Sequence, residues 1–188
     1  MSQAVHHPNE SDKIKKMVLA ALFAALIAVG AYIKIPVAPV PISLQTFFIL
    51  LAIMTLGRNW GTVSVIVYLL VGFIGFPVFA GGNSGLGIIF GPTGGYLYAF
   101  IIVAFLIGGL SEKIQKKSML NVFLLSAFGS LLILFIGTLH LSASGQIPLS
   151  VAFVGGFAPF ILGDLLKSIA VGLIAPHLIA KINFNPEA

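Results

Sequence analysis

The chain has 188 residues, of which 59% are hydrophobic and only 8% are charged, with a mean hydropathy of +1.11 and a net charge of +5. This composition excludes an ordinary soluble domain, and the lack of cysteine excludes disulfides and thiolate metal sites. Because long apolar runs without alternation are typical of helices rather than of β-barrel strands, we predict an all-α polytopic membrane protein.

The predicted elements are six apolar segments, most of which reach or approach the roughly 20 residues needed to cross a hydrocarbon layer. In chain order, the predicted spans are 17–35, 43–57, 60–79, 93–111, 119–141 and 153–180. They make up one transmembrane domain over residues 17–181. A polar N-terminal tail, 1–16, precedes this domain, and a short C-terminal tail, 182–188, follows it.

The first span carries a stripe of small side chains, because Ala20, Ala24 and Ala28 recur every four residues. Such a stripe is suited to close helix contact in a membrane. It either packs within the chain's own helix bundle or forms the face that couples to another membrane subunit. The spacing of the alanines is compatible with both arrangements.

Basic residues lie mostly at the ends of the apolar segments, where they set membrane orientation and do not indicate a nucleic-acid partner. With six spans, eight of the ten basic residues fall on one side, which predicts that both termini are cytoplasmic. These residues are Lys13, Lys15, Lys16, Arg58, Lys113, Lys116, Lys117 and Lys181. The outer side holds Lys34, and Lys167 lies within the sixth span.

Two outer connections have unusual compositions. The segment 34–43 is rich in proline, which favours an extended or turning backbone. The segment 80–95 is rich in glycine and too apolar for an ordinary solvated loop. Because glycine lets a backbone approach a ligand closely, this second segment is predicted to line a pocket, with a flexible outer loop as the alternative.

Asp164 and Lys167 are charged residues inside the sixth apolar segment. A charge at the centre of a membrane helix costs roughly 2.5–3.5 kcal/mol, so such residues usually mark a functional site. Their i, i+3 spacing places them on one helix face, in the outer half of the predicted span. The alternatives are an ion pair that only neutralises two buried charges, and a proton or sodium relay.

Neutral polar residues at the outer ends of other spans can complete a pocket with this pair, namely Gln45, Thr46, Asn83 and Tyr96. One carboxylate, one ammonium and a few amides against apolar walls suit a compact ligand with an anionic end and a hydrogen-bonding head. The sequence has no phosphate-binding loop, metal-ligand cluster or nucleophile–base constellation. We therefore expect no enzymatic activity, no cofactor and no metal.

Three motifs follow one another along the chain: PVPISLQTFF at 39–48, GFPVFAGGNSG at 75–85 running into GPTGGY at 91–96, and FILGDLLK at 160–167. On a six-span chain, these motifs resemble the BioY family, the biotin-specific substrate-binding (S) components of energy-coupling factor (ECF) transporters. The resemblance covers nearly all of residues 17–180.

This resemblance implies a six-helix S-component bundle in the plasma membrane of a prokaryote, with a biotin site facing the extracytoplasmic side. Asn83 and Asp164 would bind the ureido head of biotin, and Lys167 would balance its valerate carboxylate or support the site electrostatically. Gln45, Thr46 and Tyr96 would also line the site, an assignment that follows from motif position alone. The alanine stripe would face a transmembrane coupling subunit, which connects the S component to two cytoplasmic ATPases that drive its toppling in the membrane.

The alternative hypothesis is an ion-coupled secondary transporter of a small carboxylate. It predicts that the isolated chain takes up its substrate along a proton or sodium gradient, without ATPase subunits. A small intramembrane enzyme is a third hypothesis, which the lack of a catalytic constellation disfavours.

Overall fold

The structure, a computed structural model, describes residues 10–36 and 40–182 of the chain. Seven helices and one two-stranded antiparallel sheet are present in these residues. They are α1 (Glu10–Tyr32), β1 (Lys34–Ile35), β2 (Ile42–Ser43), α2 (Gln45–Phe73), α3 (Leu86–Ile89), α4 (Gly94–Lys113), α5 (Met119–Gly145), α6 (Leu149–Gly156) and α7 (Phe160–Ile182). Five helices in this part of the chain are long and apolar enough to span a membrane: α1, α2, α4, α5 and α7.

The helix boundaries differ from the predicted spans at both ends of the chain. Helix α1 begins at Glu10, inside the predicted tail 1–16, with two acidic side chains in its first turn that favour a helix start. The predicted sixth span, 153–180, divides into α6 and α7, because the backbone leaves helical geometry at Phe157 (φ −120°, ψ −60°). Residues 1–9 and 183–188 of the two predicted tails lie outside the described residues.

The predicted second and third spans, 43–57 and 60–79, both overlap one helical element, α2, which ends at Phe73 and which Gly57 breaks with φ 74° and ψ −168°. In a straight helix, Gln45 and Tyr68 would lie about 35 Å apart at a rise of 1.5 Å per residue. Instead, the Gln45 amide nitrogen donates a hydrogen bond to the Tyr68 hydroxyl. The chain therefore reverses at Gly57, and the two halves of α2 lie side by side.

The reversal at Gly57 is held by residues around the α4–α5 connection. The Glu112 carboxylate accepts a hydrogen bond from the backbone N–H of Arg58 at 2.7 Å, and Lys117 Nζ donates to the carbonyl of Met54 at 3.2 Å. Burial lowers the pKa of Lys117, and the nearby Glu112 carboxylate opposes that shift. Basic residues from two separate connections thus meet at one end of the bundle.

Helix α2 is central to the packing, since α1, α4 and α7 all contact it. Its first half is almost entirely buried, with Ile49, Leu50, Ile53 and Met54 fully enclosed. The outward faces of the other long helices carry many exposed leucine, isoleucine and phenylalanine side chains. An apolar exterior around an apolar core is the pattern expected of a bundle surrounded by lipid.

The alanines of α1 that are predicted to face a partner subunit lie largely inside the chain's own bundle. Ala20 is 2% exposed and Ala24 6% exposed, and Ala28 packs half-buried against the same core. These alanines bring α1 close to α2 within the chain's own bundle. Two further alanines of this helix that are also four residues apart, Ala21 and Ala25, are exposed.

Candidate ligand-binding site

A cavity of about 390 Å³ opens at the end of the bundle opposite Gly57. It lies among the first turns of α2, α4 and α7, the middle of α5, strand β2 and the segment that precedes α4. All of the predicted ligand-binding residues line this cavity: Gln45, Thr46, Asn83, Tyr96, Asp164 and Lys167. The glycine-rich segment 80–95 also contributes to the lining, as its composition predicts.

Asp164, Lys167 and Thr46 form a closed triangle of hydrogen bonds in the cavity wall. Lys167 Nζ donates to Asp164 Oδ1 at 2.8 Å and to Thr46 Oγ1 at 3.0 Å, while the Thr46 hydroxyl lies 3.2 Å from Asp164 Oδ1. The two charged side chains are only 4% and 10% exposed. The ammonium of Lys167 is therefore already neutralised within the protein.

The second carboxylate oxygen of Asp164, unlike Oδ1, has no hydrogen-bond partner among the described residues. Asp164 Oδ2 is buried and accepts no hydrogen bond from the described residues. A buried carboxylate oxygen without a donor is unfavourable, since it has lost its hydrogen bonds to water and has formed none within the protein. Because Asp164 lines the cavity, its carboxylate is a strong acceptor with unused capacity at the wall of the site.

Gln45 is held in place by the protein itself. Its amide oxygen accepts a hydrogen bond from Ser43 Oγ at 2.9 Å, and its amide nitrogen donates to Tyr68 on the second half of α2. Sequence reasoning missed Tyr68, because the two residues become neighbours only through the reversal at Gly57. Gln45 consequently shapes the wall and has limited capacity left for a ligand.

Asn83 sits in a tight turn between α2 and α3. The backbone N–H of Phe79 donates to the carbonyl of Asn83 at 2.9 Å, and the positive φ angles of Gly81 (88°) and Gly82 (75°) allow the turn to close. The side-chain nitrogen of Asn83 donates to the carbonyl of Ala80 at 2.8 Å. Its side-chain oxygen accepts no hydrogen bond from the described residues, so the exposed amide has a free acceptor.

Tyr96 contributes its ring to the cavity but not its hydroxyl. The hydroxyl donates to the carbonyl of Gly156 at 2.7 Å and lies 3.3 Å from Thr138 Oγ1. These contacts tie α4 to α5 and α6. Because the hydroxyl is engaged in these contacts, the ring is the part of Tyr96 that can serve as an apolar wall of the cavity.

Lys34 is a cavity-lining cation that sequence reasoning did not assign to the site. Its side chain is exposed, and it forms no ion pair or hydrogen bond with the described residues. The ammonium lies beside Gly81, where an added Cβ would meet Lys34 Nζ at 2.9 Å. The sequence separates Lys34 from the other basic residues, but its position at the cavity depends on the tertiary structure.

Comparison with known proteins places the chain among relatives of similar length. The family model described as "BioY family" matches residues 1–184. The chain is 38% identical over 174 residues to "Biotin transporter BioY2" of Lactococcus lactis, covering 93% of this chain and 95% of the relative. It is 41% identical over 166 residues to "Biotin transporter BioY" of Thermotoga maritima, covering 88% of this chain and 96% of the relative.

A solved structure has the same architecture. The crystal structure of the S-component for biotin from an ECF-type ABC transporter superimposes with a TM-score of 0.85 at 33% sequence identity. The match covers 90% of this chain and 93% of the solved one. The chain belongs to the BioY family.

Proposed function

We propose that this protein is the biotin-binding S component of an ECF-type ABC transporter. The support is its family, the solved biotin S component with the same architecture, and the chemistry of the cavity. One observation carries the proposal: Asp164, whose buried Oδ2 accepts no hydrogen bond from the described residues, lines the same cavity as Lys34, a cation without an ion-pair partner among those residues. Biotin has the complementary groups, with N–H donors in its ureido ring and a carboxylate at the end of its valerate chain.

In this proposal, the ureido N–H groups face Asp164 Oδ2 and the side-chain oxygen of Asn83. The carboxylate faces Lys34 rather than Lys167, because Lys167 already pairs with Asp164 at 2.8 Å. The apolar part of the ligand lies among aromatic and aliphatic side chains, including Phe79 and Tyr96. A volume of about 390 Å³ lies within the range of sites that enclose small molecules.

The proposed topology has six crossings, with the two halves of α2 counted separately, and both termini in the cytoplasm of a prokaryotic cell. The basic residues at the Gly57 end of the bundle support this orientation. The cavity then opens to the extracytoplasmic side. Captured biotin would cross the plasma membrane through partner subunits, a transmembrane coupling subunit and two cytoplasmic ATPases.

The test of this function is direct binding and transport. The purified chain in detergent is expected to bind biotin in a saturable manner by titration calorimetry. In proteoliposomes, the chain together with a coupling subunit and ATPases is expected to take up biotin when ATP is supplied. Failure of the folded chain to bind biotin would contradict the proposal, and uptake by the isolated chain along a proton or sodium gradient would favour a secondary transporter.

Replacing Lys34 tests the orientation of the ligand. Lys34→Gln is expected to weaken biotin binding about two- to fivefold, since exposed charge pairs contribute little and are screened by salt. The effect is expected to shrink at high ionic strength. Biotin methyl ester, which lacks the carboxylate, provides the control in calorimetry. An equal loss of affinity for biotin and for the ester would contradict the assignment of Lys34 to the carboxylate.

The two alanine pairs of α1 test the coupling face. Ala25→Leu changes an exposed position and is expected to leave biotin affinity within about twofold while reducing co-purification with the coupling subunit. Ala24→Leu instead places a large side chain in the α1–α2 contact and is expected to lower the free energy of unfolding by about 1–3 kcal/mol. Full assembly of the Ala25→Leu variant would contradict a coupling surface on this face.

A further inference from the structure

Two aromatic rings that line the cavity, Phe79 and Tyr96, each rest against a helix glycine. A Cβ added at Gly72 of α2 would lie 2.2 Å from Cε1 of Phe79. A Cβ added at Gly137 of α5 would lie 2.2 Å from Cδ1 of Tyr96. Both distances are well below 3.0 Å, a contact that real Cβ atoms essentially never make. Each ring therefore occupies space that any side chain at the glycine would need.

The Phe79 ring cannot retreat into the protein. It is 1% exposed, and Tyr68 packs against it edge-on with the ring centroids 5.8 Å apart. Its backbone is fixed by the hydrogen bond to Asn83, and the carbonyl of Gly72 accepts a hydrogen bond from Gly85 at 2.8 Å. A methyl group at Gly72 would displace the ring toward the cavity and disturb the turn that carries Asn83.

The Tyr96 ring is restrained in a similar way. Its hydroxyl is tied to the carbonyl of Gly156 and to Thr138, so the far end of the side chain is anchored between helices. The ring itself lies on Gly137, with the cavity as the free volume beside it. A methyl group at Gly137 would push the ring away from α5 and reduce that volume.

We propose that Gly72 and Gly137 are specificity-determining residues that set the space available to the ring system of the ligand. This inference rests on the proposed biotin site and identifies what limits the size of its occupant. A fused bicyclic head needs more room than a single ureido ring. Protein interiors have few voids, so a methyl group added behind a tightly packed cavity wall displaces the side chains that form the wall.

Desthiobiotin distinguishes ring size from other features of the ligand, because it keeps the ureido ring and the carboxylate but lacks the fused sulfur-containing ring. Gly137→Ala is expected to raise the dissociation constant for biotin about tenfold more than that for desthiobiotin. Gly72→Ala is also expected to raise the ratio of the dissociation constant for biotin to that for desthiobiotin. The measurement is titration calorimetry of both ligands with the intact chain in detergent, after thermal unfolding has verified that each variant is folded.

Gly129→Ala is the matched control in α5. A Cβ there would meet Leu50 at 3.1 Å and Ile107 and Val103 at 3.2 Å, and none of these side chains lines the cavity. This variant tests the general effect of an added methyl group in a tight helix contact. It is expected to change both dissociation constants by the same factor, unlike Gly137→Ala.

The outcomes separate the two proposals. An unchanged ratio of the two dissociation constants in Gly137→Ala would overturn the role of the glycines and leave the biotin site intact. Binding of neither ligand by the folded, unmodified chain would overturn the proposed function and this inference with it. If Gly72→Ala does not fold, Gly72→Ala/Phe79→Leu removes the colliding ring and is expected to recover folding. Failure of that double variant to recover would contradict the steric role of Phe79.

Discussion

Asp164→Asn is expected to weaken biotin binding about a hundredfold, since hydrogen bonds to a buried charge are among the stronger ones. The amide can keep its oxygen toward Lys167 and Thr46, which places its nitrogen where Oδ2 was. The site would then present a donor to the ureido N–H of the ligand, so an attractive contact becomes a repulsive one. Titration calorimetry with biotin measures the change.

Stability has to be separated from binding in this experiment. Removing one partner of a buried ion pair can cost about 3–5 kcal/mol of folding free energy, because the other charge is left unpaired. Asp164→Asn/Lys167→Met also removes the Lys167 ammonium that has lost its carboxylate partner. This double variant is expected to restore the unfolding temperature without restoring biotin binding.

Thr46→Val serves as the milder control for the same site, because it removes the 3.2 Å contact to Oδ1 and the 3.0 Å contact from Lys167 Nζ but leaves Oδ2 untouched. It is expected to cost about tenfold in affinity or less, as befits a single neutral donor. An Asp164→Asn variant that is folded and binds biotin as tightly as the unmodified chain would rule out Asp164 Oδ2 as the ureido acceptor.

Gly57→Ala is expected to lower the free energy of unfolding by about 3 kcal/mol. The backbone at Gly57 has φ 74° and ψ −168°, a region that side-chain-bearing residues rarely adopt. The added Cβ would also lie 2.6 Å from the Glu112 oxygen that accepts the hydrogen bond from Arg58. Both halves of α2 depend on this reversal, so denaturant or thermal unfolding in detergent should report the loss directly.

Gly85→Ala is the matched control for backbone strain. Gly85 has nearly the same conformation, with φ 81° and ψ −179°, but nothing lies within 4 Å of an added Cβ. Gly85→Ala is expected to lower the free energy of unfolding only by the cost of the strained backbone, about 1–2 kcal/mol. Equal destabilisation of the two variants would show that the Glu112 contact does not contribute to the turn.

The long helices follow from the sequence because the length of an apolar run is a local property of the chain. The predicted spans 93–111 and 119–141 agree with α4 and α5 to within a few residues. Hydropathy also separates the spans 43–57 and 60–79, in agreement with the break in helical geometry at Gly57. The reversal that sets their antiparallel arrangement depends on a single glycine and on contacts from α4, which hydropathy does not contain.

The candidate site likewise combines features that the sequence predicts with features that depend on the tertiary structure. Asp164 and Lys167 are three residues apart on one helix, so their pairing is predictable from helix geometry alone. The unsatisfied Oδ2, the engagement of Gln45 by Tyr68 and the position of Lys34 at the cavity depend on residues distant in sequence. These features decide which groups remain available to a ligand.

By itself, the sequence determined that this is a helical membrane protein with a charged pair inside one apolar segment. It also contains a repeat of alanines on α1, but the tertiary structure decided that Ala20 and Ala24 of this repeat are buried while the neighbouring Ala21 and Ala25 are exposed. The physical reason is that lipid and protein interior are both apolar. In water, a polar face marks the outside of a helix, whereas in a membrane only the packing of neighbouring helices does so.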